Sequence, residues 1–122
     1  MLLYDILTDP ESRASIETQA GPIAIDTLFT VGSQPGLFAG LGLYGPRPQG
    51  IAKFQRPEGV KEWMNIFDFT DMFSFKCAPM FDGVKDFGYD TVTDLLQAHS
   101  AYFLRPSFYK RMRARLSEAG HL

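Results

Sequence analysis

The chain has 122 residues, of which 45% are hydrophobic and 14% aromatic, and its formal net charge is −2. This length supports one domain, residues 1–122, with a sizeable core, and is too short for two cores of ordinary size. A lone cysteine, Cys77, excludes an internal disulfide framework and fits a reducing, cytoplasmic compartment. The most apolar run, residues 36–45, is far shorter than the roughly 20 residues of a membrane-spanning helix. We therefore expect a soluble protein with no membrane partner.

The first third of the chain predicts a short helix and a strand. Asp9 can cap a helix whose first residue is Pro10, and Gly21 can end it, so the pattern indicates a helix over about 10–20. The next segment, 22–31, is rich in β-branched residues and lies between Gly21 and Gly32, which is typical of a strand.

Glycine and proline recur from residue 32 to residue 57, so we expect loop and short extended pieces here. The apolar side chains Leu37, Phe38 and Tyr44 in this loop must pack on the core or on a partner, and we take them as candidate partner-binding residues. Residues 40–45 spell the G-x-G-x-x-G string of dinucleotide sites. Because prolines follow at once, no helix begins where a phosphate would need one, and we reject nucleotide binding.

The middle of the chain is ambiguous between helix and strand. Val60, Trp63, Met64 and Phe67 follow helical spacing, and we predict a helix from about 58 to 71, although the phenylalanines of 67–75 also alternate as in a strand. We predict a second loop over 79–90. Its Asp82 and Asp86 continue into Asp90 and Asp94 at four-residue spacing, and we interpret them as a solvated acidic loop because the pattern does not match a calcium-binding loop.

Two C-terminal helices complete the prediction. A capping-box-like start at Thr91 and an apolar stripe indicate a helix over about 91–104. Pro106 then begins a second helix, 106–119, which Gly120 closes. The fold class is thus α+β, with an irregular Gly/Pro-rich, partly extended N-terminal half and a C-terminal pair of helices.

Chemically reactive residues are few. His99 lies in the apolar stripe of the helix predicted over 91–104, which favours a satisfied core or interface histidine. An enzymatic alternative pairs His99 with Asp94 or Asp90 as acid and base. For Cys77 we favour a buried structural role over a nucleophile. One cysteine and two histidines do not supply a zinc site, so we predict no catalytic residue, metal or cofactor, and no small-molecule ligand.

The strongest chemical feature is a cluster of five basic residues within eleven positions, in a chain whose net charge is negative. Its members are Arg105, Lys110, Arg111, Arg113 and Arg115. Arg105 precedes the helix predicted over 106–119, and on that helix the other four flank or oppose the apolar stripe, which makes a basic amphipathic helix. Such a helix can bind acidic protein surface, nucleic acid or an anionic membrane surface, or can simply be a solvated face. The acidic zones at 1–30 and 62–94 make an acidic protein surface, on this chain or on a neighbouring copy, the favoured partner. We therefore expect the helix to bind a protein partner with an acidic surface or copies of the chain itself.

Residues 87–116 also resemble part of a known family. The segments Phe87-Gly88-Tyr89-Asp90, Tyr102-Phe103-Leu104-Arg105-Pro106 and Arg111-Met112-Arg113 are similar to the later part of internal scaffolding proteins of small tailless single-stranded DNA phages. The resemblance implies a protein that binds capsid subunits during assembly, has no catalytic residues and is associated with virions.

These observations predict a non-enzymatic interaction or assembly protein. The basic C-terminal helix and the apolar Gly/Pro loop would contact the partner. The alternative is a nucleic-acid-binding module that uses the cluster from Arg105 to Arg115, with neighbouring aromatic rings available for stacking on bases.

Overall fold

The structure is a computed structural model that describes residues 2–47, 49–91 and 97–122. Five helices, one 3₁₀ turn and five strands occupy these ranges. In chain order they are α1 (Leu2–Thr8), α2 (Pro10–Ala20), β1 (Ile25–Val31), α3 (Pro35–Gly40), β2 (Phe54–Gln55), β3 (Val60–Phe67), β4 (Phe81–Asp82), β5 (Val84–Gly88), α4 (Ala98–Ala101), the 3₁₀ turn Tyr102–Leu104 and α5 (Pro106–Glu118). Helices and strands in one small chain confirm the α+β class.

The centre of the fold is a parallel sheet of three strands in the order β1-β3-β5. Leu28 of β1 lies opposite Trp63 of β3, and Trp63 lies opposite Val84 of β5. The short strands β2 and β4 form a separate parallel pair. All three strands of the main sheet therefore end at the same edge, and the polar side chains that follow these strands lie near one another there.

The prediction of a helix over 58–71 is wrong, because residues 60–67 form the central strand β3. A central parallel strand is covered on both faces, so its apolar residues are nearly continuous rather than alternating. Residues 63–67 are all buried. Within such a run, Val60, Trp63, Met64 and Phe67 match helical spacing by coincidence.

The predicted loop over 79–90 is also wrong, since it contains β4 and β5 on either side of Gly83. Gly83 has a φ of 72°, which allows the tight turn between them. Asp86 lies on β5 and is partly buried, so the solvated acidic loop is not observed at this position. Asp94 lies outside the described residues.

The remaining helix predictions agree with the structure. Helix α2 spans Pro10–Ala20, and the Asp9 carboxylate caps it by accepting a hydrogen bond of 2.8 Å from the amide of Ser12. Helix α5 spans Pro106–Glu118. Of the helix predicted over 91–104, residues 92–96 lie outside the described residues; the described remainder is helical from Ala98 and ends at Leu104.

Each face of the sheet carries its own apolar cluster. On one face Leu28, Trp63 and Val84 pack with Tyr4 and Leu7 of α1. On the other face Ile66 and Tyr89 pack with Phe108 of α5 and with Tyr102. The alternation of side chains along a strand produces this division. In the described part of the chain, no helix is long and apolar enough to cross a membrane.

Candidate functional site

Two buried carboxylates follow the carboxyl end of the central strand. Asp68 comes directly after β3 and Asp71 three residues later, with exposures of 2% and 3%. Gly32 follows β1 and Tyr89 follows β5 at the same edge of the sheet. In open parallel sheets the carboxyl edge is where ligands usually bind. This edge is therefore the first place to look for chemistry.

Asp71 and His99 form a hydrogen-bonded pair at this edge. The imidazole Nδ1 of His99 lies 3.0 Å from Oδ2 of Asp71. The carboxylate side chain has no exposed surface, whereas 51% of the imidazole is exposed. The buried carboxylate thus holds one side of a ring whose other side reaches solvent. Among the described residues, no side chain makes a hydrogen bond to Nε2 of His99.

Further contacts fix the position of the Asp71 carboxylate. Its Oδ1 accepts a hydrogen bond of 2.9 Å from the amide of Phe73. Its Oδ2 accepts a second bond of 3.2 Å from the hydroxyl of Tyr102, and Ser74 Oγ lies 3.3 Å from that hydroxyl. Burial raises the pKa of Tyr102 above its usual range, so this hydroxyl keeps its hydrogen and stays a donor.

Gly32 gives the pair the space it occupies. A Cβ atom at position 32 would lie 2.9 Å from Oδ2 of Asp71, 3.0 Å from the Tyr102 ring and 3.3 Å from Nδ1 of His99. The residue also has a φ of 54°, in the left-handed region that glycine adopts easily. A side chain at this position would push the pair apart, so the end of β1 is part of the site.

Asp68 anchors the loop that carries Asp71. One of its oxygens accepts hydrogen bonds from the amide and hydroxyl of Thr70, and the other accepts two bonds of 2.7 Å from Thr91. Burial by itself would raise the pKa of Asp68, but these hydrogen bonds outweigh it and hold the pKa below its usual value. The carboxylate is therefore ionised at neutral pH and ties the end of β3 to the chain after β5.

A second polar network holds the segment after Asp71 onto the sheet. The buried amide of Asn65 donates 2.8 Å to Asp86 and 2.9 Å to the carbonyl of Phe75. Asp86 also accepts hydrogen bonds from the amides of Cys77 and Ala78. Asp86 is thus a structural carboxylate that holds the segment of Cys77 and Ala78 to β5.

The structure bears on both roles considered for His99, a satisfied core or interface residue and one member of an acid–base pair. His99 is satisfied by Asp71, but it is half exposed and does not lie in the core. The carboxylate that His99 contacts is Asp71 rather than Asp90, and Asp94, the other partner that the enzymatic alternative named, lies outside the described residues. Cys77 is fully buried, which confirms its structural placement, and burial raises its pKa to about 12. No cluster of potential metal ligands occurs in the described part of the chain.

The basic cluster lies on and just before α5, with its members in two environments. The Arg111 guanidinium lies 5.2 Å from the centre of the Tyr89 ring, and that of Arg115 lies 4.4 Å from the Phe87 ring. Arg115 also forms an ion pair of 2.6 Å with Glu118. Arg111 is nevertheless exposed, as are the other three cations, Arg105, Lys110 and Arg113, which have no ring contact among the described residues. Aromatic neighbours therefore hold two of the five cations against the protein itself.

The apolar loop lies away from the basic helix. Tyr44 packs on Tyr4 at 4.8 Å between ring centres, within the cluster on the other face of the sheet. Leu37 and Phe38 are half-buried on α3. The structure therefore does not bring these loop residues together with α5. The more exposed residues of this region are Leu41 and Leu43.

Sequence reasoning missed Asp71 and Tyr102 as partners of His99. The signal was the pair Asp68 and Asp71 directly after the segment 60–67, which marks the carboxyl edge once that segment is recognised as a strand. No family model, curated protein or solved structure matches this chain. The functional interpretation therefore depends on the geometry of the site itself.

Proposed function

We propose that the chain provides the acid–base pair of an enzyme, with His99 as general base and Asp71 as the carboxylate that orients it. The observation that carries this proposal is the 3.0 Å contact between a fully buried carboxylate and a half-exposed imidazole. A core histidine would have both nitrogens enclosed, and a surface histidine would have no buried partner. The arrangement instead matches what general-base catalysis needs.

The chemistry follows from which nitrogen carries the hydrogen. An ionised Asp71 can only accept a hydrogen bond, so Nδ1 of His99 holds the hydrogen and Nε2 is the free base. Nε2 can then take the proton of a hydroxyl, thiol or water as that group attacks an electrophilic carbon. Asp71 stabilises the imidazolium formed, and the same proton can return to the leaving group. This sequence supports hydrolysis or acyl transfer.

The surroundings of His99 favour a substrate with an apolar group. The Phe73 ring lies 5.4 Å from the imidazole, and Phe69 and Met72 in the same loop are exposed. The Phe73 ring is itself 45% exposed beside the polar pair, and is therefore suited to bind the apolar part of an ester, thioester or amide. The attacking group is water, or the hydroxyl or thiol of a second substrate.

The test is hydrolysis of a panel of p-nitrophenyl esters and thioesters with acyl chains of two to eight carbons. His99→Gln should lower the rate by roughly a hundredfold or more, the usual contribution of general-base catalysis. Asp71→Asn should have a comparable effect, since an amide can hold the ring in the wrong tautomer. The control is His121→Gln, which removes the other histidine of the chain.

Backbone amide NMR spectra of each variant show whether the fold is retained, and His99→Gln changes a half-exposed side chain that the core does not need. Equal rates for wild type and folded His99→Gln on every probe would contradict the proposal. That result would leave the non-enzymatic assembly role predicted from the sequence as the better hypothesis.

We propose, as a second candidate, that α5 and the turn before it dock on an acidic protein surface. Three exposed cations, Arg105, Lys110 and Arg113, form no ion pair with any described residue. Leu104 and Tyr109 are exposed beside them, with 79% and 52% of their surface accessible. Cations interleaved with apolar groups favour a protein partner over a solvated face. The resemblance of residues 87–116 to phage scaffolding proteins agrees with such a role.

Native mass measurement and gel filtration test this second candidate. Replacing Arg105, Lys110 and Arg113 by Glu should abolish any assembly, while Lys61→Glu with Lys85→Glu reverses two exposed charges elsewhere as the control. Binding of a labelled oligonucleotide that weakens steeply with salt would instead favour the nucleic-acid alternative. A protein that stays monomeric, and binds neither another protein nor the oligonucleotide, would contradict both the docking candidate and the nucleic-acid alternative.

A further inference from the structure

A cavity of about 140 Å³ lies between α5 and the sheet, away from His99 and Asp71. It is on the face of the sheet that carries Ile66. Its apolar walls come from both elements and include Phe29, Ile66, Phe87, Tyr89, Phe108 and Met112. The cavity is partly open, so a small molecule can reach it.

The size of this cavity selects a single ring. An apolar cavity of about 150 Å³ holds one benzene molecule. Ile66, Tyr89 and Phe108 are buried, and Phe108 meets Tyr89 edge to face with 5.5 Å between ring centres. An aromatic guest would add a further ring to walls that are already aromatic, where offset and edge-to-face contacts are favourable.

The mouth of the cavity carries one excess positive charge. Arg111, Arg115 and Glu118 line it, and Arg115 is paired with Glu118 at 2.6 Å. Arg111 has no carboxylate within ion-pair distance among the described residues. Its guanidinium is stacked over the Tyr89 ring, 5.2 Å from the ring centre, and a stacked guanidinium still presents N–H groups at its edge. Arg111 is therefore held in place with donors free for one anion.

We infer that this cavity binds a small aromatic monocarboxylate of about the size of benzoate. The ring would lie against the apolar walls and the carboxylate would accept hydrogen bonds from Arg111 at the mouth. Two parallel bonds from guanidinium to carboxylate are the usual geometry of such a pair. This site is independent of the acid–base pair proposed above.

Titration of the full chain with benzoate, followed by amide and methyl NMR, tests the inference. Saturable shifts should occur around Phe29 and Ile66, and benzylamine should bind at least about tenfold more weakly because its charge has the wrong sign. Arg111→Gln should weaken benzoate binding by about tenfold or more, the usual effect of losing a charged hydrogen bond. The control is Arg113→Gln, which removes an exposed cation from the same helix.

Filling the cavity gives a second, independent test. Met112→Trp should abolish benzoate binding, and Met112→Phe is the milder replacement if the tryptophan variant does not fold. Three outcomes would overturn the inference: no saturable shift with benzoate, equal affinity for benzylamine, or unchanged binding in a folded variant with a filled cavity. An equal loss in Arg113→Gln would overturn it as well, since binding would then follow overall charge.

Discussion

Tyr102 donates its hydroxyl hydrogen to Asp71, with 3.2 Å between the two oxygens, and the acceptor is the same Oδ2 atom that faces His99. The tyrosine is fully buried and reaches Asp71 from the turn that follows α4. One carboxylate oxygen thus connects the loop after β3 to two residues of the C-terminal region. In the proposed acid–base pair, Tyr102 is a positioning residue, because it acts on His99 only through Asp71.

The first prediction concerns Tyr102→Phe. Removing the hydroxyl frees Asp71 to shift, so kcat of any His99-dependent hydrolysis should fall by roughly tenfold, the scale of one hydrogen bond to a charged group. KM should change little, since Tyr102 is buried and does not line the solvent side of His99. The control is Tyr109→Phe, which removes a hydroxyl whose one hydrogen bond to a described residue goes to the carbonyl of Phe103. A rise in KM with kcat unchanged would contradict the positioning role.

The second prediction concerns Gly32→Ala. A methyl group at this position would lie 2.9 Å from Oδ2 of Asp71 and 3.3 Å from Nδ1 of His99, so the pair must separate. His99-dependent activity should be largely lost, and the free energy of unfolding should fall by about 1–3 kcal/mol from strain and overpacking. Gly42→Ala is a matched control, because Gly42 also has a positive φ, 73°, but nothing lies within 4 Å of the added methyl.

Urea unfolding and rates of hydrolysis, measured for both glycine variants, distinguish two effects. Backbone strain is common to both positions, whereas the clash with Asp71 and His99 occurs only at position 32. Gly42→Ala should lose some stability but no activity. If both variants lost activity equally, the space at position 32 would have no special role in the site.

The sequence predicted the parts of this fold whose signals are local. The Asp9 cap with Pro10, and Pro106 after the turn, determine where α2 and α5 begin, because capping and the missing proline donor act within one turn of helix. The strand predicted over 22–31 from its β-branched residues is β1, which begins at Ile25 and ends at Val31. Such signals need no knowledge of distant contacts.

The site could not be read in the same way, because its residues meet only through the sheet. Asp71 and His99 are 28 positions apart, and their contact depends on β3 being a strand. Because both faces of β3 are covered, its apolar residues do not alternate with polar ones, and that alternation is the pattern by which a strand is usually recognised. The basic cluster, by contrast, was visible in the sequence. The contacts of Arg115 with the Phe87 ring and of Arg111 with the Tyr89 ring could not be predicted, because β5, which positions both rings, was predicted as loop.

The third prediction concerns stability in acid. The folded-state pKa of Asp68 is lowered by hydrogen bonds from Thr91 and Thr70 against the opposing effect of burial. A lowered pKa contributes stability above the unfolded-state value, about 4, and this contribution is lost as the pH falls through the folded-state pKa. Urea unfolding of the wild type should therefore show falling stability below about pH 4. Asp68→Asn should be less stable at pH 7 by about 1–3 kcal/mol and should show a smaller acid decline.

Asp82→Asn is the control for this experiment, since Asp82 is exposed and, among the described residues, its carboxylate bonds only to the side chain of Gln55 on the neighbouring strand. It should leave both the stability at pH 7 and the acid decline nearly unchanged. An Asp68→Asn variant with the full wild-type acid decline would show that other carboxylates cause it.

The fourth prediction concerns Cys77. Burial is the main cause that raises its pKa, to about 12, so the native thiol is neutral and unreactive at pH 8. A disulfide reagent should label Cys77 only as fast as the chain opens, and labelling should become rapid in denaturant. Because the folded-state pKa is raised, the group's contribution to stability is complete below the unfolded-state pKa of about 8.5 and is lost as the pH rises toward 12. Cys77→Ala should remove the part of this alkaline decline that begins near pH 8.5, while the decline above about pH 10 remains, because burial also raises the pKa of Tyr102. Rapid labelling of the native wild type at pH 8 would instead mean that the thiol is accessible.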